Sequence, residues 1–113
     1  MFPDISKVRI FLYRQPTDLR KSYDTLAALA SSVLGEDPLS GALFVFLNRP
    51  RNRVKILYYE DGGYCLWMKR LEAGSFPLPS GDGNKQEINA GHLAMLLDGL
   101  KIVKMKRFSL NKY

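Results

Sequence analysis

Between Lys7 and Tyr13 the side chains alternate. Val8, Ile10 and Leu12 fall on one side of an extended chain and Lys7, Arg9, Phe11 and Tyr13 on the other, which predicts a β-strand. Arg14-Gln15-Pro16 breaks it, and Thr17 or Asp18 then offers an oxygen to the free amides of a helix start. From there the period changes. Leu19, Tyr23, Leu26, Ala30, Val33 and Leu34 recur every three or four residues up to the last step, the stripe of an amphipathic helix. Gly35 suits the left-handed residue that ends such a helix, and Asp37-Pro38 keeps it from resuming.

Ala42-Leu43-Phe44-Val45-Phe46-Leu47 is an unbroken apolar run of strand length, which predicts a strand covered on both faces and central in its sheet. Asn48 to Asn52 turns the chain. Alternation returns, with Val54, Ile56 and Tyr58 opposite Arg53, Lys55, Leu57 and Tyr59, and Asp61-Gly62-Gly63 is a hairpin signal. Tyr64 to Leu71 forms the next strand and completes a three-stranded antiparallel meander. Glu72 to Lys85, with three glycines and two prolines, reads as a surface loop. A short extended piece, Gln86-Glu87-Ile88, leads to Asn89 as the N-cap of a second helix, about Ala90 to Asp98, burying Leu93, Leu96 and Leu97, with Ile88 stapled onto Leu93 and Gly99 as its end. Leu100 to Val103 is a candidate last strand. The expected fold is therefore α+β: one domain in the order strand, helix, three-stranded meander, helix, its antiparallel sheet covered by one layer of two helices.

Composition narrows the function. The 113 residues suit one domain, 1–113, with a basic tail at 101–113 that is free to be flexible. The single cysteine, Cys65, excludes an internal disulfide and a thiolate zinc site. No apolar stretch is long enough to cross a bilayer, and Met1-Phe2-Pro3-Asp4-Ile5 lacks the pattern of a signal peptide, so a cytoplasmic location with no membrane partner is expected. The formal net charge of +6 favours a polyanionic partner. That charge is concentrated. Arg49, Arg51, Arg53 and Lys55 lie within seven residues, and Lys101, Lys104, Lys106, Arg107 and Lys112 fill a tail with no acidic residue after Asp98.

The residues for catalysis do not assemble in the sequence. His92 is the only histidine, in the first turn of a helix, and reads as a surface or packing residue. Cys65 sits within a strand and reads as a buried thiol. Most carboxylates fall at caps and turns, so no metal or other cofactor, no small-molecule substrate and no catalytic residue is expected. Gly81-Asp82-Gly83-Asn84-Lys85 lacks the spacing and ending of a phosphate-binding loop. The Arg49 to Lys55 cluster is the feature most able to act. Four cations at a hairpin tip can meet phosphates through charge-assisted hydrogen bonds, and Tyr58, Tyr59, Tyr64 and Trp67 nearby could stack bases. The same cations could instead guard a sheet edge, with the aromatics in the core. Lys69 and Arg70 on the following strand extend the set of candidate nucleic-acid-binding residues to Arg49, Arg51, Arg53, Lys55, Lys69 and Arg70.

Five segments in order carry a resemblance. They are Thr17 to Leu26 (TDLRKSYDTL), Asp37 to Phe46 (DPLSGALFVF), Asn48 to Tyr59 (NRPRNRVKILYY), Gly63 to Phe76 (GYCLWMKRLEAGSF) and Leu93 to Leu100 (LAMLLDGL). Together they are similar to the Orf2-like accessory protein, TnpB, of the IS-66 class of bacterial insertion sequences, a family distinct from the RNA-guided nucleases that share the TnpB name. The resemblance spans roughly Lys7 to Leu100. It implies a small, non-catalytic companion of a separate transposase that performs the strand chemistry. It supplies no catalytic residues to carry over. The expected partners are therefore DNA, at the ends of the element, and the transposase of the same element. A module that recruits or stabilises that transposase without touching DNA is the alternative.

Overall fold

The computed structural model describes residues 4–98. The basic tail and the expected strand at Leu100 to Val103 lie outside them. After a 3-10 turn at Ile5–Lys7 come β1 (Ile10–Tyr13), α1 (Tyr23–Ser32), β2 (Leu43–Leu47), β3 (Arg53–Glu60), β4 (Gly63–Arg70), β5 (Lys85–Ile88) and α2 (Ala90–Leu97). The five strands form one sheet in the order β4-β3-β2-β1-β5, with the fully buried β2 at its centre, as its apolar run predicts.

The fold is α+β, but the sheet is mixed and not antiparallel throughout. β2 pairs with β3, and β3 with β4, as an antiparallel meander. β1 pairs with β2 in parallel, Ile10 beside Leu43 and Leu12 beside Val45. The reason is the connection between them: α1 carries the chain back to the end of the sheet where β1 began, the crossover that parallel neighbours require. The extended piece after the long loop becomes β5, an antiparallel edge strand with Ile88 opposite Ile10.

The helices also do not share a layer. In β1, Ile10 and Leu12 join a core with Val45, Ile56, Phe76, Leu93 and Leu96, beneath α2 and the 71–80 loop. Phe11 points the other way and joins Phe44, Phe46, Leu57, Leu26 and Ala30, beneath α1. β1 and β2 thus bury both alternating faces, and the described residues form a three-layer stack of helix, sheet and helix. Burying the large side chains of both cores supplies the stability, at roughly 1.5–3 kcal/mol for each fully covered Leu, Ile or Phe.

The caps explain where the helices begin and end. Asn89 Oδ1 accepts from the amide of His92 at 2.8 Å, the expected N-cap of α2. α1 starts later than the stripe suggests, at Tyr23 after Ser22. The segment before it is a turn in which Asp18 Oδ1 accepts from the amide of Arg20 at 3.0 Å. Leu19 consequently packs beside the α1 core without belonging to the helix, and Tyr23 and Val33 remain partly exposed, at 43% each. Gly35, at φ 68°, ends the helix in the left-handed conformation expected of it. At the β3–β4 hairpin Asp61 and Gly62 have φ 51° and 83°, two positive values in succession that fit a type I′ turn.

Candidate nucleic-acid interface

The turn from Asn48 to Asn52 decides where the arginines go. Asn48 Oδ1 accepts from the amides of Asn52 and Arg53, each at 3.0 Å, and Asn48 Nδ2 donates to Asn52 Oδ1 at 2.8 Å. The amide of Arg51 donates to the Asn48 carbonyl at 3.0 Å, and Arg51 takes φ 55°. A non-glycine residue in that region is uncommon, and local hydrogen bonds hold it there. Its carbonyl accepts from the Phe76 amide at 2.6 Å, while its Nε donates to the Phe76 carbonyl at 3.1 Å. Arg51 therefore clamps the 71–80 loop so that Phe76 can fill the core.

The six predicted cations divide accordingly. Arg53 and Arg70 stand opposite one another in the β3–β4 register, on the α1 face. With a two-residue hairpin closing on Glu60 and Gly63, this is a non-hydrogen-bonded pair, the kind whose side chains stand closest, about 4.5–5.5 Å between Cβ atoms. Like charges there cost stability. Arg49 borders the same surface. It lines an open hollow of about 380 Å³ with Asp18, Leu19, Arg20 and Arg53. An adjoining hollow of about 440 Å³ lies among Leu19, Arg53, Lys55, Met68, Arg70 and Glu72. Leu19 and Arg53 border both, so the two hollows form one continuous basic surface.

Among the described residues Arg49 and Arg53 make no side-chain hydrogen bond or ion pair. Arg70 Nε pairs with Glu72 at 3.0 Å, both side chains exposed. Lys55 Nζ donates to the Lys21 carbonyl at 2.9 Å, which ties the segment before α1 down onto β3 and sets Arg20 at the rim. Arg20 grips Asp18 through Nε and NH2, the latter at 2.7 Å. That bond holds the Asp18 carboxyl well below the usual carboxylate range, so Asp18 stays charged and offsets Arg20.

Two of the predicted residues commit their side chains elsewhere, although Lys69 also borders the larger hollow. Arg51 is the clamp just described. Lys69 belongs to the α2 face, where its Nζ donates to the Leu97 carbonyl at 2.9 Å, a favourable place for a cation at a helix C-terminus. The aromatics divide too. Tyr58 is a core residue whose phenol burial pushes upward in pKa, and Trp67 packs against the same core. Tyr59 and Tyr64 meet edge to face at 5.3 Å at the turn end of the hairpin, six register positions or about 20 Å from Arg53 and Arg70. None of the four predicted aromatics therefore offers a stacking platform beside Arg53 and Arg70. Asn48 and Asn52, which the sequence marks only as a turn, and Arg20, which is not among the six predicted cations, also shape the surface.

His92 is exposed at the start of α2, and Cys65 is half-buried in β4. Among the described residues no group of three or more His, Cys, Asp or Glu side chains is placed to hold a metal ion. Among the same residues no helix is long and apolar enough to cross a membrane.

The five segments noted in the sequence fall within one family match. The family model described as IS66 Orf2 like protein matches residues 8–107. The chain belongs to the IS66 Orf2-like family. Its membership makes it a transposition-associated accessory protein, in a family not known for catalysis. The uncharacterized protein y4hO of Sinorhizobium fredii is 36% identical over 100 residues, which cover 88% of this chain and 87% of that one. The uncharacterized protein y4jC of the same organism is 32% identical over 100 residues, covering 88% and 86%. No solved structure is a significant match.

Proposed function

We propose that this Orf2-like protein is a non-catalytic accessory factor that binds DNA at the ends of its insertion sequence, or bridges those ends to the transposase, through the basic α1-side surface. One observation carries the reading: Arg53 and Arg70 face each other across β3 and β4 with Arg49 beside them, and Arg49 and Arg53 have no side-chain partner among the described residues. A like-charge pair that costs the fold stability is relieved by an anion seated between the guanidiniums, and phosphate accepts from such forks in two-pronged fashion. Contacts of this kind position a protein on the duplex without reading sequence.

Direct contact with the transposase in the absence of DNA is the second reading. The apolar floor that Leu19 and Met68 give the hollow favours it, since a phosphate backbone has no use for such a floor whereas an acidic, partly apolar segment would.

Fluorescence anisotropy with a duplex from the element's terminal inverted repeat and a scrambled duplex of equal length tests the proposal. Binding at low salt that Arg49→Ala with Arg53→Ala removes supports the DNA role, and tighter binding to the repeat makes the protein an end-binder. Absence of binding to both duplexes, with co-purification of the transposase from nuclease-treated extract, replaces it by the second reading.

A further inference from the structure

The two edges of the sheet differ in kind. β5 is four residues long and carries Lys85 and Glu87, the short and charged form that resists pairing with other strands. β4 is eight residues long and follows β3 in one unbroken register from Arg53 opposite Arg70 to Glu60 opposite Gly63. It has no bulge and no proline, and from Gly63 to Met68 it has no charged residue. Because the hairpin closes on the hydrogen-bonded pair Glu60 and Gly63, the backbone groups of Cys65, Trp67 and Lys69 turn inward to β3. Those of Tyr64, Leu66, Met68 and Arg70 turn outward, where the sheet of the described residues has no further strand. Met68 is 62% exposed beside this row.

The ends of the edge are opposite in sign. Glu60 and Asp61 mark the turn, and Lys69 and Arg70 mark the far end. A strand with that polarity complements a second copy of itself only when the two run antiparallel. We propose that two copies of this chain join through β4, antiparallel and edge to edge, so that two five-stranded sheets become one continuous sheet about a two-fold axis perpendicular to it. Centred on Leu66, the pairing sets Leu66 opposite Leu66, Tyr64 opposite Met68, and Arg70 beside the Asp61-Gly62 turn of the other copy. Every cross-strand pair along the middle of the seam is then apolar, and no like charges meet. The axis leaves both α1 faces on the same side. The two Arg70 positions fall eight residues, about 27 Å, apart along the strands, and the two arginine surfaces point toward one common partner.

Sedimentation equilibrium on the full chain tests this. The wild type is expected to reach twice its 12.9 kDa monomer mass. Met68→Pro deletes an outward amide without touching the β3 ladder, and proline is tolerated on an edge strand. It is expected to weaken self-association at least tenfold with an unchanged far-ultraviolet circular dichroism spectrum. Met68→Lys alters only an exposed side chain and gives the same answer should the proline variant lose its fold. The register is read with Leu66→Cys in a Cys65→Ser background. The expected Cα separation of about 5.5 Å suits a disulfide, so oxidation links the two copies. A wild type that remains monomeric overturns the proposal, as does a Met68→Lys variant that dimerises like the wild type. Failure of Leu66→Cys to cross-link in a dimeric sample overturns the register.

Discussion

Replacing Arg49 and Arg53 together by alanine separates the two classes of cation that the fold creates. The α1-side surface offers four positive side chains whose charge is not matched by a two-pronged carboxylate partner: Arg49, Arg53, Lys55 and Arg70. Arg20 is left out because Asp18 is committed to it through two of its nitrogens. If each of the four neutralises one phosphate of duplex DNA, log affinity falls against log salt with a slope of about −3.6. Between about 50 and 200 mM salt this amounts to a loss of roughly 150-fold. Removing Arg49 and Arg53 halves the count, so the slope becomes about −1.8 and the loss over the same range only about 12-fold. The assay is an anisotropy titration at four salt concentrations, with wild type and variant compared on the same duplex. Neither arginine makes a bond within the described fold, and removing Arg53 ends its repulsion with Arg70, so the double variant unfolds at or slightly above the wild-type midpoint. Arg51→Ala is the control: its guanidinium is engaged with the Phe76 carbonyl, and the slope stays near −3.6. An unchanged slope in the double variant, or an equal change in Arg51→Ala, refutes the division of the cations.

Three further substitutions have outcomes that follow from the structure. Asp18→Asn releases Arg20 as a fifth contact and steepens the slope to about −4.5, checked in the same titration. The same change flattens the acid limb of stability. A carboxylate held below its ordinary pKa adds stability above about pH 4 and loses it as pH falls through the lowered folded value, so acid unfolding of the variant depends less on pH below about 4. Arg51→Ala costs about 1–2 kcal/mol in a urea titration, because it strips a part-buried carbonyl of its donor and frees the 71–80 loop. Phe76→Ala, at a position with 0% exposure beneath that loop, costs about 3–5 kcal/mol and lowers the melting temperature by more than about 12 °C in calorimetry.

Periodicity read the elements well where one rule governed a segment. The run at Leu43 to Leu47 placed β2 at the sheet centre, Asp61-Gly62 placed the hairpin, and Asn89 placed the start of α2. What it missed depends on relations between segments. A strand, a helix and a strand already contain the crossover that makes β1 and β2 parallel, but the meander that follows pulls the reading toward an antiparallel sheet. The alternation of Ile10, Phe11 and Leu12 is apolar at every step, a sign of a strand covered on both faces, and hence of helices on both sides. Leu19 continues the helical stripe in sequence, yet the Asp18 to Arg20 turn delays the helix to Tyr23.

The candidate site was legible as a density of charge and not as a surface. Arg49, Arg53, Lys55 and Arg70 come together because β-strand parity puts Arg53, Lys55 and Arg70 on one face, and the Asn48–Asn52 turn sets Arg49 beside them. The same parity sends Lys69 to the opposite face, to the end of α2. For Arg51 no sequence rule announces the outcome, since its role depends on a backbone contact with Phe76, 25 residues away.

The most direct test of the account is mobility of the element in cells that carry its transposase and either the wild-type chain or the folded Arg49→Ala/Arg53→Ala variant. Loss of transposition with the variant, at wild-type protein levels and with Arg49→Lys/Arg53→Lys restoring part of it, is the predicted result. Transposition at the wild-type frequency with both arginines removed would contradict the claim that this surface is where the protein acts.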